Sequence, residues 1–267
     1  MASATSLSTR DVNVLEKIKD PEFDPNSGVI TDLSLPRDPH VIDTSVYERV
    51  MAKERQIIQT IQKLEMDFSR SMAEDSNEST AKAYKECAAG FDELISEFPR
   101  YASARNNRAQ IVRRLYGDAM LLSETTSMPM PLIEQPEKEE KRKAAKTALE
   151  DLETSISLLS PATLTTPMSP QAARTLSMAH TQRAAIYLKT SKLMSHRDVD
   201  VSTDRKEVGW SKLDFEEAAS QDLALGGRYG NQVAKGLAVS VNPTAKLCGQ
   251  MVREAMKKEY GPSFGDP

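Results

Sequence analysis

Two stretches of this 267-residue chain begin alike although Arg108 and Arg183, their matching members, stand 75 residues apart. Ala104-Arg105-Asn106-Asn107-Arg108-Ala109 and Ala179-His180-Thr181-Gln182-Arg183-Ala184 share an amide residue, then Arg, then Ala, with a small Ala three residues before the amide. Self-similarity of this kind constrains a fold more than composition does, because units that cannot bury their apolar face alone must stack on their neighbours. Around both stretches apolar residues recur every three or four positions, and no segment sustains period-two alternation, so the reading is all-α.

The helices can be placed in order. Pro21, Pro25, Pro36 and Pro39 make residues 1–42 a proline-rich arm, with one short helix expected over Asp11 to Ile18. Ser45 with Glu48 reads as a capping box opening a long helix that carries Val46, Val50, Ile57, Ile61, Leu64 and Phe68. A polar turn over 73–80 leads to a second helix from about Thr80 to Phe98, stopped by Pro99. A third spans Ala102 to Tyr116 and ends at Gly117. The proline-bearing tract after it reads as low-order loop, and KEEKRKAAK as the solvated start of a helix with Leu149, Leu152, Ile156 and Leu159. A loop at 160–170 precedes a helix with Ala179, Ile186 and Leu188, and a polar stretch at 195–207 precedes one with Leu213, Phe215 and Ala219. Gly226-Gly227 reads as the turn into a last pair of helices about Asn242-Pro243, where Asn caps and Pro takes the first helical position. Leu247, Cys248, Met251 and Ala255 are its expected buried stripe.

The spacing fits a tetratricopeptide unit of about 34 residues, with a small residue near position 8 and an aromatic near position 24. Ala109 and Ala184 take the small position. Phe91 precedes Arg108 by 17 residues, which is half a period. Later units are stretched: Leu152 is the best second position-24 residue, and Phe215 lies 32 residues past Arg183 rather than 17. Each surplus falls on a Pro-rich or polar tract, so the expectation is a right-handed superhelix of about three helical hairpins with long inserts. The expected units are 43–101, 102–170 and 171–225, with a cap at 226–260, within a domain covering 43–267.

The strings ASARNNRAQ at 102–110 after FPRY, LEDLETSISL at 149–158, HTQRAAIYL at 180–188, DFEEAA at 214–219 and above all NPTAKLCGQM at 242–251 resemble the tetratricopeptide repeat protein 36 family. Val14, Leu15, Ile18, Pro21 and Pro25 echo its N-terminal segment. Arg105 stands where that family has an aromatic, and its compact members lack the long inserts. The resemblance implies a non-catalytic protein-interaction module, an adaptor or co-chaperone, with the seventy-kilodalton heat-shock chaperone as an implied partner. A scaffold or assembly factor for a non-chaperone partner is the alternative.

In such an array the groove-facing positions of the inner helices would be Asn106, Asn107, Gln110, Arg113, Arg114, Gln182 and Lys189. Amides and guanidinium groups suit a peptide backbone or a carboxylate. Asn107 holds the asparagine position of a carboxylate clamp, but Met72, Ser76, Met178 and Gln182 stand where its cations belong, so the standard clamp is not expected. These groove positions read equally as a solvated helix face.

Composition and motifs exclude other classes. Lys and Arg number 35 against 39 acids, a formal charge of −4, without the basic excess that phosphate-backbone binding needs. No nucleic-acid partner and no membrane partner is expected. No apolar run reaches membrane-spanning length, and the opening MASATSLSTR has no signal-peptide core. The expected location is the cytoplasm, with KEEKRKAAK as a nuclear-import signal on a second reading. His40, His180 and His196 show no metal-ligand spacing, and no placed acid–base pair is evident, so neither metal, cofactor nor catalysis is expected. Gly226-Gly227-Arg228-Tyr229-Gly230 lacks the strand and the Lys-Ser ending of a phosphate loop. Cys87 and Cys248 read as buried small hydrophobes.

Overall fold

The computed structural model describes residues 28–70, 76–124, 129–163 and 165–260; the expected helix over Asp11–Ile18 lies outside them. Among these residues there are eight helices and no strand: α1 Thr44–Arg70, α2 Ser76–Glu97, α3 Ala102–Tyr116, α4 Lys138–Leu159, α5 Pro170–Leu193, α6 Lys212–Arg228, α7 Gln232–Val241 and α8 Pro243–Tyr260. The all-α reading holds. None of these helices is long and apolar enough to cross a membrane.

Side-chain contacts give the topology. Lys53 near the start of α1 meets Glu97 at the end of α2, at 2.5 Å, while Glu65 further along α1 meets Tyr84, so the pair is antiparallel. Arg108 to Asp151 (2.6 Å) and Tyr116 to Glu140 (2.7 Å) run α4 antiparallel to α3. Ser177 Oγ donates to the Gly226 carbonyl (2.6 Å) and the Tyr187 and Phe215 rings lie 5.8 Å apart, which does the same for α5 and α6. Between hairpins, Asn107 meets Glu54 and Arg114 meets Glu65, both at 2.7 Å, so α1 and α3 run parallel. Ala109 and Ala184, the small residues singled out by the period, are fully buried, as are Phe91, Leu152 and Phe215. A larger residue at either alanine would push neighbouring backbones apart in a core packed at crystal-like density.

The repeated Arg has a structural role. Arg108 reaches Asp151 through Nε and Nη2 (2.6 and 2.7 Å), with Arg105 beside it at 3.2 Å. One hairpin later Arg183 grips Asp222 at 2.7 and 2.8 Å, and His180, three residues before it, meets the same carboxylate at 2.8 Å. Both aspartates are nearly inaccessible. The α3–α4 and α5–α6 hairpins are therefore each clipped by a buried carboxylate whose lone pairs are filled from the facing helix, the condition under which a charge can be buried.

Several expectations change. The first helix is capped by Asp43, whose Oδ1 accepts from the Val46 amide (3.0 Å), rather than by Ser45. Helix α2 starts at Ser76, before the expected Thr80. The tract after Gly117 is not a loose loop throughout: Ala119, Met120, Leu121 and Leu122 are fully buried. Its backbone pairs with the second insert, with Ser123 N donating to Asp198 O (2.9 Å) and Asp200 N to Leu121 O (2.8 Å). KEEKRKAAK is not simply solvated, because Lys141 is buried against the Leu122 carbonyl (2.5 Å) and Asp200 (2.9 Å). A tract of weak helix propensity can still enter a core when its backbone groups find partners.

Gly226 and Gly227 lie inside α6, and the turn glycine is Gly230, at φ 112°. They serve close approach instead. A Cβ on Gly227 would stand 2.7–2.8 Å from the Lys235 backbone of α7. Gly227→Ala is expected to destabilise the chain by about 1–3 kcal/mol despite alanine's better helix preference, read as a lower denaturant midpoint in equilibrium unfolding. The C-terminal stripe is corrected as well. Asn242 does cap α8, its Oδ1 accepting from Ala245 N (3.0 Å), yet Leu247, Cys248, Met251 and Ala255 are all exposed and α8 buries no residue. Cys87 is buried as expected.

Candidate functional site

Helices α1, α3 and α5 leave a concave groove of about 640 Å³. The parallel run of α1 and α3 sets two walls. Ile58, Ile61, Gln62 and Glu65 come from α1, Asn107, Gln110, Arg113 and Arg114 from α3, and Arg174, Met178 and Lys189 from α5. The first insert supplies a further wall of Pro129, Met130 and Pro131. It is held there by backbone bonds from Leu132 N to Arg114 O (3.3 Å) and Ile133 N to Leu115 O (2.9 Å), which satisfy carbonyls that the end of α3 would otherwise leave open. Gly117, with φ 76°, makes the reversal that brings the insert back.

The structure gathers five of the seven sequence-derived positions here: Asn107, Gln110, Arg113, Arg114 and Lys189. The other two, Asn106 and Gln182, are corrected, since both are buried beneath the groove and bonded to each other. Gln182 Nε2 donates to Asn106 Oδ1 (2.8 Å) and to its carbonyl (3.2 Å), and Arg113 Nη1 donates to Gln182 Oε1 (3.2 Å). They tie α3 to α5. Their amides are spent on each other because an unpaired buried amide costs about 1–3 kcal/mol.

The remaining positions differ in what they leave for a ligand. Arg113 is forked onto Asp118 (2.7 and 3.1 Å). Arg114 donates to Glu65 and lies 5.3 Å above the Phe68 ring. Burial alone would raise the Glu65 carboxyl, but hydrogen bonds from Arg114 and Tyr84 hold it below the usual carboxylate range. Asn107 gives its amide to Glu54, a buried carboxylate that also accepts from Tyr101 and Ser103, each at 2.6 Å. Gln110 is exposed, and its side chain makes no hydrogen bond to the described residues. Arg174, exposed and without an ion pair among them, was not a sequence candidate. It lies before the Ala–amide–Arg–Ala match on α5, outside the register that flagged the others.

Among the described residues the carboxylate clamp is not assembled. Asn107 is already engaged, Met178 is apolar and Gln182 is buried; Met72 and the side chain of Ser76 lie outside the described residues. The described part of the N-terminal arm docks elsewhere, on the 160–170 loop, through Asp32 N to Met168 O (3.0 Å) and Ser169 Oγ to Arg37 O (2.9 Å). Among the described residues no cluster of three His, Cys, Asp or Glu side chains could hold a metal ion.

The L-tyrosine degradation gene cluster protein hmgX of Aspergillus fumigatus is 36% identical over 265 residues, which is 96% of this chain and 94% of that protein. Tetratricopeptide repeat protein 36 of Danio rerio is 30% identical over 176 residues, 66% of this chain and 62% of its own. No family profile matches the sequence, and no solved structure matches.

Proposed function

We propose, from the premise that this chain belongs to the family of the L-tyrosine degradation gene cluster protein hmgX, that it is a non-catalytic protein-interaction module of the cytoplasm. In this reading it is an adaptor that holds a segment of another protein in the groove between α1, α3 and α5. The observation that carries it is the groove itself. It is open, about 640 Å³, and built chiefly from three helices and residues 129–131 of the first insert, with Gln110 and Arg174 left unspent on the fold. Preformed concave sites with a few free polar groups on an otherwise apolar lining are where proteins bind ligands.

Two partner classes follow from the relatives. The similarity to tetratricopeptide repeat protein 36 supports a protein partner; in the co-chaperone reading that partner is the seventy-kilodalton heat-shock chaperone, recognised without a carboxylate clamp. The name of the 36% relative supports the second class, a scaffold for a protein of an L-tyrosine degradation gene cluster.

Calorimetric titration of the full chain against the purified chaperone, and against each purified protein of such a cluster, separates them. The expected result is saturable binding of one protein, weakened at least tenfold by Gln110→Trp, which fills the groove from an exposed position whose side chain makes no hydrogen bond to the described residues. Binding that is indifferent to Gln110→Trp removes the groove from the interface, and turnover of a small molecule by the chain alone overturns the adaptor reading.

A further inference from the structure

Two faces are left open, one on the α1–α2 hairpin and one on α8, and they match. The first is a cleft of about 500 Å³ between α1 and α2. It lies on the side of that hairpin turned away from α3: Lys53, Ile57 and Thr60 of α1 line it, whereas α3 is met by Glu54 and Glu65. Ala83, Gly90 and Leu94 of α2 complete an apolar floor with Ile57, and Gly90 leaves that wall without a side chain at its middle. The rim is acidic, with Glu86, Glu93 and Glu97 set against Lys53. Glu97 is engaged by Lys53 and Arg49, while Glu86 and Glu93 have no ion pair among the described residues.

The second face is the apolar stripe of α8. Leu247, Met251 and Val252 are each more than half exposed, and Cys248 and Ala255 share their side of the helix. The opposite side is turned to the body of the chain, where Lys246 meets Glu216 of α6 at 3.3 Å. Helices in proteins draw most of their stability from packing an amphipathic face, yet this 18-residue helix buries no residue. A repeat array keeps its ends soluble by showing solvent a polar terminal face, and α8 shows the reverse. Its formal charge is opposite to that of the cleft: Lys246, Arg253, Lys257 and Lys258 stand against Glu254 and Glu259. Lys258 continues the stripe past Ala255 and has no ion pair among the described residues. The stripe from Leu247 to Ala255 is about 12 Å long and the cleft floor from Ala83 to Leu94 about 16 Å, at 1.5 Å per residue.

We infer that α8 of one copy of this chain seats its Leu247–Met251–Ala255 stripe in the α1–α2 cleft of a second copy, with Lys258 at the acidic rim. An amphipathic helix laid into an apolar groove is a recurrent mode of recognition, and opposite charge at the edges fixes its register. The contact is heterologous, because the two surfaces differ. Each copy still offers one free face after it binds, so association runs on into a ring or a filament rather than stopping at two copies. Neither the concave groove nor the adaptor reading enters into it.

The test is analytical ultracentrifugation of the full chain over a concentration series. The expected result is a weight-average mass that climbs with concentration above that of one copy. Leu247→Glu with Met251→Glu on the stripe, and Glu86→Arg with Glu93→Arg on the rim, are each expected to raise the half-association concentration at least tenfold. All four positions are exposed, so an unchanged circular dichroism spectrum is expected of both variants. Mixing the two variants is the deciding measurement. The intact stripe of one and the intact cleft of the other are expected to form a 1:1 pair and nothing larger. A wild-type chain that stays a single copy throughout overturns the inference, and so does a mixture that forms no pair. A rim variant that self-associates as well as the wild type overturns it too, since α8 would then be meeting a surface other than the cleft.

Discussion

Arg205→Ala is expected to cost about 3–5 kcal/mol of folding stability, read as a lower denaturant midpoint with an unchanged slope. Arg205 sits in the second insert and joins two carboxylates. It forks onto Glu153 of α4 at 2.8 and 2.9 Å and donates to Glu207 at 3.0 Å. Glu207 is completely inaccessible, and without Arg205 only the Tyr187 hydroxyl, at 2.7 Å, would remain to it among the described residues. A buried carboxylate stripped of its cation carries its desolvation penalty uncompensated. Arg205→Lys is expected to recover only part of the loss, since a point charge cannot fork onto two acids.

The same cluster sets an acid limit. Burial alone would raise the Glu153 carboxyl, but hydrogen bonds and charge from Arg205 and Lys206 outweigh it and lower the group from an ordinary 4.5 to about 2. A carboxyl depressed by folding adds stability that is fully present above its unfolded value and is lost as pH falls toward its folded one. Roughly 3 kcal/mol should therefore disappear between about pH 4.5 and pH 2. That acid dependence is expected to shrink in Arg205→Ala, where only Lys206 remains beside Glu153. Denaturant midpoints of both proteins at a series of pH values give the comparison.

The second large effect belongs to the third hairpin. Asp222→Ala is expected to destabilise by about 3–5 kcal/mol, because it leaves the Arg183 guanidinium and the His180 ring, both directed at one buried carboxylate, without an acceptor. Replacing Arg183 by Met as well is expected to cost less than the sum of the single changes, since the second substitution removes the charge that the first left unpaired. A double-mutant cycle on unfolding free energies measures that coupling. Additive losses would mean that the two side chains act independently and that the clip between α5 and α6 contributes nothing as a pair.

Part of the site was legible in the chain because it lies on one local period. The match between Asn107-Arg108-Ala109 and Gln182-Arg183-Ala184 fixed the register of α3 and α5, and counting from it reached five of the residues that line the groove. The count went wrong at Asn106 and Gln182, which occupy the seam between the two helices: a few tens of degrees of helix rotation separate a groove residue from a seam residue, and packing alone sets that rotation. Arg174 was missed because nothing in its neighbours distinguishes it from any exposed helical arginine.

By itself the sequence determined the all-α class, the helix that ends at Gly117, the cap at Asn242, and the small residues at Ala109 and Ala184. These depend on propensity, capping and periodicity, which act over a few residues. Only the tertiary structure decided which aspartate answers each repeated arginine, that Ala119–Leu122 belongs to the core, that Met130 and Pro131 wall the groove, and that the apolar stripe of α8 faces outward. Each of those is a pairing between groups distant in sequence. Burial and hydrogen-bond satisfaction select such pairings from the whole assembled surface, and no local pattern of residues encodes them.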